Sequence, residues 1–184
     1  MLETVAHVVT RMNRLMLQLR DGAKSAAKPR PIDIRETINR VVMVKREYCA
    51  AIEVESGPPL LALTHEEQIE RVIGHIVQNA IEASSENGHP VTLRAHAEGE
   101  YVVIEVVDRG VGMTEEFIRE RLFRPFQTTK PQGMGIGMNE SFQYVSAIGG
   151  RIEVESVASA GTRFRLWLRA AGSGPPSDPF RAKV

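Results

Sequence analysis

The chain has 184 residues, with 23 basic against 23 acidic side chains and a single cysteine, Cys49. That length suits one compact core with short extensions, and the balanced charge offers no overall field for nucleic acid or an anionic membrane surface, so any phosphate ligand must be held by local geometry. One cysteine excludes an internal disulfide framework, and no apolar run approaches the roughly 20 residues that span a bilayer, which predicts a soluble, cytoplasmic molecule or a cytoplasmic piece of a membrane protein.

From Val5, apolar residues at Val8, Met12, Leu15 and Leu19 follow alternating steps of three and four, the seam of a heptad helix over residues 1–20. The seam leaves three partners open: a second copy, a segment upstream, or the chain's own domain. Residues 21–31 carry Pro29 and Pro31 without periodicity and read as a linker. The folded domain is expected over 32–170, followed by a disordered, proline-bearing tail at 171–184.

Within the domain the pattern predicts a helix at 35–46, short strands at 51–55 and 60–63, and a long helix opened by Thr64, whose spacing to Glu67 is that of a capping box. Val91, Leu93 and Ala95 alternate with polar residues, Gly99 turns the chain, and an apolar run follows at 101–107, giving a hairpin. Residues 110–137 hold five glycines and two prolines and are expected to form one long mobile loop rather than a packed element. A helix at 138–148 stops at Gly149 and Gly150, and a second hairpin follows around a turn near Gly161. Helices and antiparallel hairpins with one apolar face each imply an α/β fold built as a two-layer sandwich.

Three local patterns carry chemistry. On a helical wheel, Ile69, Val72, Ile73, Ile76, Val77, Ala80 and Ala83 share one arc, with Asn79 at its border and His75 and Glu82 continuing the polar strip. The Asn79 oxygen suits Mg²⁺, a hard cation that completes its octahedron with phosphate and water, although an asparagine at a helix edge is equally compatible with simple solvation. Asp108, followed by Gly110 and Gly112 at the end of an apolar strand, can accept from the exocyclic amine of adenine while the glycines let backbone approach the base. The same wording fits a calcium loop or a tight turn. Gly133, Gly135 and Gly137 then run through Ile136 into Met138 and a helix, where freed N–H groups and a helix N-terminus can cradle phosphate. Neither the P-loop nor the Gly-x-Gly-x-x-Gly spacing is met.

Taken in order, these three patterns resemble the C-terminal catalytic domain of sensor histidine kinases, within the gyrase, Hsp90, histidine kinase and MutL ATPase superfamily. The stretch from Leu122 through Phe123, Pro125, Phe126, Thr128 and Thr129 to Lys130 resembles that family's phenylalanine box, and Gly149-Gly150-Arg151-Ile152 with Gly161-Thr162-Arg163-Phe164 its closing hairpin. The resemblance covers about residues 32–169 and implies the Bergerat ATP-binding fold: a mixed, mostly antiparallel sheet backed by helices, with ATP between the helices and a flexible lid.

The resemblance further implies that Asn79 binds Mg²⁺, that Asp108 reads adenine beside Gly110 and Gly112, and that Gly133, Gly135 and Gly137, with Ile136 and Met138, lie beside the phosphates. Phe123 and Phe126 would anchor the lid by burying their rings. Thr162 matches a position that bonds toward the adenine-reading aspartate. Lys130, next to Thr129, is the candidate γ-phosphate contact, a solvated loop lysine being the other reading. His75 stands where many sensor kinases have a second asparagine and gyrase-like ATPases a water-activating glutamate, which favours kinase over hydrolase. Glu82 replaces a basic phosphate contact of some relatives. None of the five histidines has the setting of the family's phosphoacceptor, so the expected partners are a separate phosphoacceptor histidine domain, a homodimeric full-length protein and a response regulator. No contact of this fragment with nucleic acid or membrane is expected. A stand-alone ATPase and a nucleotide-regulated interaction module are the rival readings.

Overall fold

The computed structural model describes residues 28–46, 52–84, 88–127 and 135–173. The heptad seam, most of the linker and nearly all of the tail lie outside the described residues. The described chain opens with strand β1 (Arg30–Asp33), helix α1 (Ile34–Arg46) and strands β2 (Ile52–Val54) and β3 (Leu61–Thr64). Helix α2 (Glu66–Ser84), the hairpin β4 (Val91–Glu98) and β5 (Tyr101–Asp108), and the short helix α3 (Glu115–Glu120) follow. Helix α4 (Gly137–Ala147) and the hairpin β6 (Arg151–Val157) and β7 (Gly161–Arg169) complete it.

Five strands form one sheet in the order β2-β4-β5-β7-β6, with β2 parallel to β4 and every other pair antiparallel. β1 and β3 form a separate antiparallel pair, and Ala62 bridges from it to Ala170 beyond β7. α2 packs on β4, β5 and β7, and α4 on β6 and α2. The expected two-layer α/β sandwich, a mixed and mostly antiparallel sheet backed by helices, is therefore what forms.

Alternation explains which sheet face meets the helices. Leu93, Ile104, Leu166 and Leu168 are at most 1% exposed and pack with Ile69, Ile73, Ile76 and Val77 of α2 and with Ile34 and Ile38 of α1. Each such side chain contributes about 1.5–3 kcal/mol of hydrophobic stabilisation. The opposite face is lined by charge. There Glu105, buried on β5, accepts from Arg94 and from Arg165 at 3.0 Å. Burial alone would raise its pKa, but the two guanidiniums outweigh that and hold it below the usual carboxylate range.

Three local expectations need correction. Thr64 does not cap α2; it ends β3, and its hydroxyl is 2.8 Å from the Tyr144 hydroxyl of α4. β1 begins inside the stretch read as linker, because two prolines hide a strand that pairs on one side only. The 110–137 stretch contains a packed element after all. Thr114 caps α3 by accepting from the Phe117 N–H at 3.2 Å, acidic residues fill its first turn, and Phe117 and Ile118 pack on the core.

Candidate functional site

β5 delivers Asp108 to the end of the sheet, 4% exposed and on the helix-facing side with Val106 and Ile104. Its carboxylate accepts the Gly110 N–H at 2.8 Å and the N–H of Thr162 on the neighbouring strand. Burial raises its pKa above the ordinary aspartate value, and those two bonds oppose the rise without cancelling it. A desolvated acceptor is thus held at the end of an apolar strand.

The glycines after it seat the loop against its neighbours. A Cβ at Gly110 would overlap the Ala83 carbonyl of α2, and one at Gly112, where φ is +62°, would overlap the Val157 carbonyl. The Val111 N–H bonds the Ala83 carbonyl at 3.2 Å, and the Val111 carbonyl accepts from Ser159 at 2.7 Å. The Asp108 loop is therefore wedged between the end of α2 and the β6–β7 turn.

Thr162, paired in register with Asp108, reaches the aspartate through its backbone N–H, not through its side chain. Its hydroxyl lies 2.9 Å from that of Ser156, which also accepts from Met113 N–H at 2.8 Å and contacts the Gly161 carbonyl at 2.9 Å. Ser156 was not singled out from the sequence. Its signal is present: it occupies the inward register of β6 after Ile152 and Val154, where an apolar residue would continue the pattern.

On α2, Asn79 is half-buried on the border of the apolar arc. One residue back, Gln78 bridges Lys45 at 2.9 Å and Glu82 at 2.7 Å, so the unexpected acid at 82 belongs to a polar relay along the helix. Among the described residues no three histidines, cysteines or carboxylates converge. A Mg²⁺ ion beside Asn79 would accordingly take one protein oxygen and draw its other ligands from phosphate and water, which the chemistry of that ion accepts.

His75 faces α4. Its Nδ1 is 3.3 Å from the Ser141 hydroxyl, its ring packs against Gly137, and Ser141 in turn donates to the Gly137 carbonyl at 2.7 Å. Burial, then the charges of Arg71 and Lys45, lower its pKa below 6.5, opposed by its hydrogen bond to the Gly137 backbone. Burial thus favours the neutral imidazole. At the start of α4, Ile136 is half-buried in the cap position, while the Met138 side chain is 8% exposed in the core, leaving its backbone as the part available to a ligand.

The lid flanks differ from expectation in one respect. Phe123 packs against Phe142, ring centroids 4.8 Å apart, but Phe126 is 55% exposed with φ +64°, so the expected burial of its ring is not met. That left-handed turn lets the Phe126 N–H reach the Gly135 carbonyl at 2.9 Å, and a Cβ at Gly135 would lie 2.7 Å from the Gln127 nitrogen. The two flanks are clasped at that neck. Thr129, Lys130 and Gly133 lie outside the described residues. A cavity of about 570 Å³ between α1 and β2, lined by Ile38, Val42 and Val54, contains none of the candidate site residues.

The family described as "Histidine kinase-, DNA gyrase B-, and HSP90-like ATPase" matches residues 64–172. The chain is 34% identical over 178 residues to the C4-dicarboxylate transport sensor protein DctB of Rhizobium meliloti, covering 92% of this chain and 28% of that one. It is 38% identical over 113 residues to the sensor protein FixL of Bradyrhizobium diazoefficiens, covering 60% and 22%. It therefore spans about a quarter of the length of these relatives. The mycobacterial sensor histidine kinase MprB shares the fold with a TM-score of 0.68 at 24% identity, covering 77% of this chain and 97% of that structure. A sheet that ends in a buried aspartate beneath an asparagine-bearing helix, and a family match over more than half its length, lead to one assignment: the chain belongs to the histidine kinase-, DNA gyrase B- and HSP90-like ATPase family.

Proposed function

We propose that this chain is the ATP-binding catalytic domain of a sensor histidine kinase, which hands the γ-phosphate of Mg-ATP to a histidine on a separate dimerisation and phosphoacceptor domain. The observation that carries the reading is the buried Asp108 carboxylate, fixed by the Gly110 and Thr162 N–H groups on the helix-facing side of the sheet. When ionised it only accepts hydrogen bonds. It therefore pairs with the exocyclic amine of adenine and repels the carbonyl that guanine presents there.

In this reading the Asn79 oxygen holds Mg²⁺, and the backbone around Gly133, Gly135 and Gly137 lines the phosphates. Lys130, with Thr129, brings a positive charge to the γ-phosphate from the lid. Bound Mg²⁺ supplies neutralisation of phosphate charge, and phosphoryl transfer otherwise depends on positioning. His75 is committed to Ser141 and packed against Gly137, so in this reading it supports the wall of the site and does not receive phosphate. A cytoplasmic location, a homodimeric parent protein and transfer onward to a response regulator complete the proposal.

The test is incubation with γ-labelled ATP and Mg²⁺, alone and with a phosphoacceptor domain added in trans, followed by acid and base treatment. Acid-labile, base-stable label is expected on the added domain only. Label on one of this chain's own histidines, or steady ADP release with no label on the acceptor, refutes the assignment.

A further inference from the structure

Ser156, Thr162 and Asp108 form a row across three adjacent strands. Thr162 is the register partner of both Ser156 on β6 and Asp108 on β5, and all three lie on the sheet face that meets the helices. The Ser156 hydroxyl has three polar neighbours within 2.9 Å: the Met113 N–H, the Gly161 carbonyl and the Thr162 hydroxyl. A hydroxyl has one proton to give and two lone pairs to offer. The Met113 N–H can only donate, so it takes one lone pair, and the Gly161 carbonyl can only accept, so it takes the proton. The one assignment that makes all three contacts hydrogen bonds has Thr162 donating to Ser156.

We propose that Ser156 is a specificity-determining positioning residue: by taking the Thr162 proton, it leaves the Thr162 hydroxyl with lone pairs only, so that Thr162 and Asp108 present adjoining acceptors to a purine. This rests on the reading that Asp108 binds adenine, and it adds how wrong bases are refused. A threonine free to rotate its proton can donate to a carbonyl as readily as it accepts from an amine. A threonine whose proton is held by Ser156 cannot. With both acceptors facing the C6 substituent, hypoxanthine, which carries a carbonyl where adenine carries its amine, is rejected there by two groups instead of one. The same Ser156 oxygen holds the Met113 N–H, tying the Asp108 loop to the hairpin that carries Thr162. Base selectivity and loop position thereby share one atom.

The experiment measures ADP and IDP affinities by titration calorimetry for the wild-type chain and for Ser156→Ala, Ser156→Thr and Thr162→Val. Wild type is expected to prefer ADP. Ser156→Ala should reduce the ADP-to-IDP preference about fivefold, the worth of one ordinary hydrogen bond, because the released Thr162 proton can serve the hypoxanthine carbonyl. Ser156→Thr restores the hydroxyl and should restore the preference. A purely structural role would weaken both nucleotides by the same factor, and an unchanged ratio in Ser156→Ala overturns the proposal. Thr162→Val keeps the shape and leaves Ser156 bonded to Met113 and Gly161, so it reads the same ratio even if Ser156→Ala does not fold; an unchanged ratio there overturns the proposal as well. Equal affinity of wild type for ADP and IDP refutes the adenine reading itself, and that outcome is visible before any variant is compared.

Discussion

Replacing Asp108 with asparagine separates what this residue does for a ligand from what it does for the fold. The carboxylate is 4% exposed, and burial raises its pKa above 3.8, so the ionised form is held at a cost in the empty domain. Asparagine removes that cost. It keeps an acceptor oxygen for the Gly110 N–H, but it loses the negative charge that strengthens the backbone bonds from Gly110 and Thr162. The two effects oppose each other, and the ligand-free variant should fall within about 1 kcal/mol of wild type, roughly 2–4 °C in Tm. The pH dependence has a definite sign. A raised folded pKa means the folded chain binds its proton more tightly than the unfolded chain, so wild type loses stability as pH climbs from 3.8 through the folded value. The variant lacks this slope, and its stability relative to wild type should improve with pH over that window. Nucleotide binding moves the other way. Losing a charge-assisted bond to the adenine amine costs about 1.5–3 kcal/mol, or roughly 10- to 150-fold in Kd. Urea denaturation between pH 3.5 and 7 and calorimetric ADP titration read the two effects separately. A ligand-free loss above about 3 kcal/mol at pH 7 would make Asp108 a structural anchor, and retained ADP affinity would remove it from the site.

Two further outcomes follow from neighbouring residues. Asn79→Ala should weaken Mg-ATP binding while leaving metal-free ADP binding largely intact; equal losses for both, measured by titration with and without chelator, indicate a folding role instead. His75 is depressed below 6.5 by burial, Arg71 and Lys45, so its stabilising contribution is fully present above pH 6.5 and is lost as pH falls below it. His75→Gln should flatten that acid-side decline in thermal denaturation, and an unaltered pH profile would show that the imidazole is not the titrating group.

How much of this was legible in the sequence depends on the range of the interaction that decides each feature. The α2 arc was readable because its period is local, and Ile69, Val72, Ile73, Ile76, Val77 and Ala80 are buried as the wheel requires. Ala83 is only half-buried and Ser84 takes the inward place, since the Asp108 loop presses on the Ala83 carbonyl. The capping role read for Thr64 failed for the opposite reason: its hydroxyl is claimed by Tyr144, a partner no local window contains. α3 was overlooked although its cap, acidic first turn and apolar pair are contiguous, because the glycines and prolines flanking it dominate the composition of the whole stretch. The pairing of Asp108 with Thr162, and of Thr162 with Ser156, needs strand register, which alternation alone leaves open.

Three contacts hold α4 in place. The Tyr144 hydroxyl bonds Thr64 at 2.8 Å and accepts the His65 N–H at 2.9 Å, holding the middle of α4 to the start of α2. The first turn is held separately, by Ser141 and Gly137 against His75, one helical turn before Asn79 on the same helix. Within that turn, Asn139 donates to the Phe123 carbonyl at 2.7 Å, and the Phe126 N–H bonds the Gly135 carbonyl just before the helix begins. α4 is therefore held at the β3–α2 junction, at His75 of α2, and at the Phe123 segment. The Phe123–Asn139 contact is the one of these three that joins α4 to a loop segment.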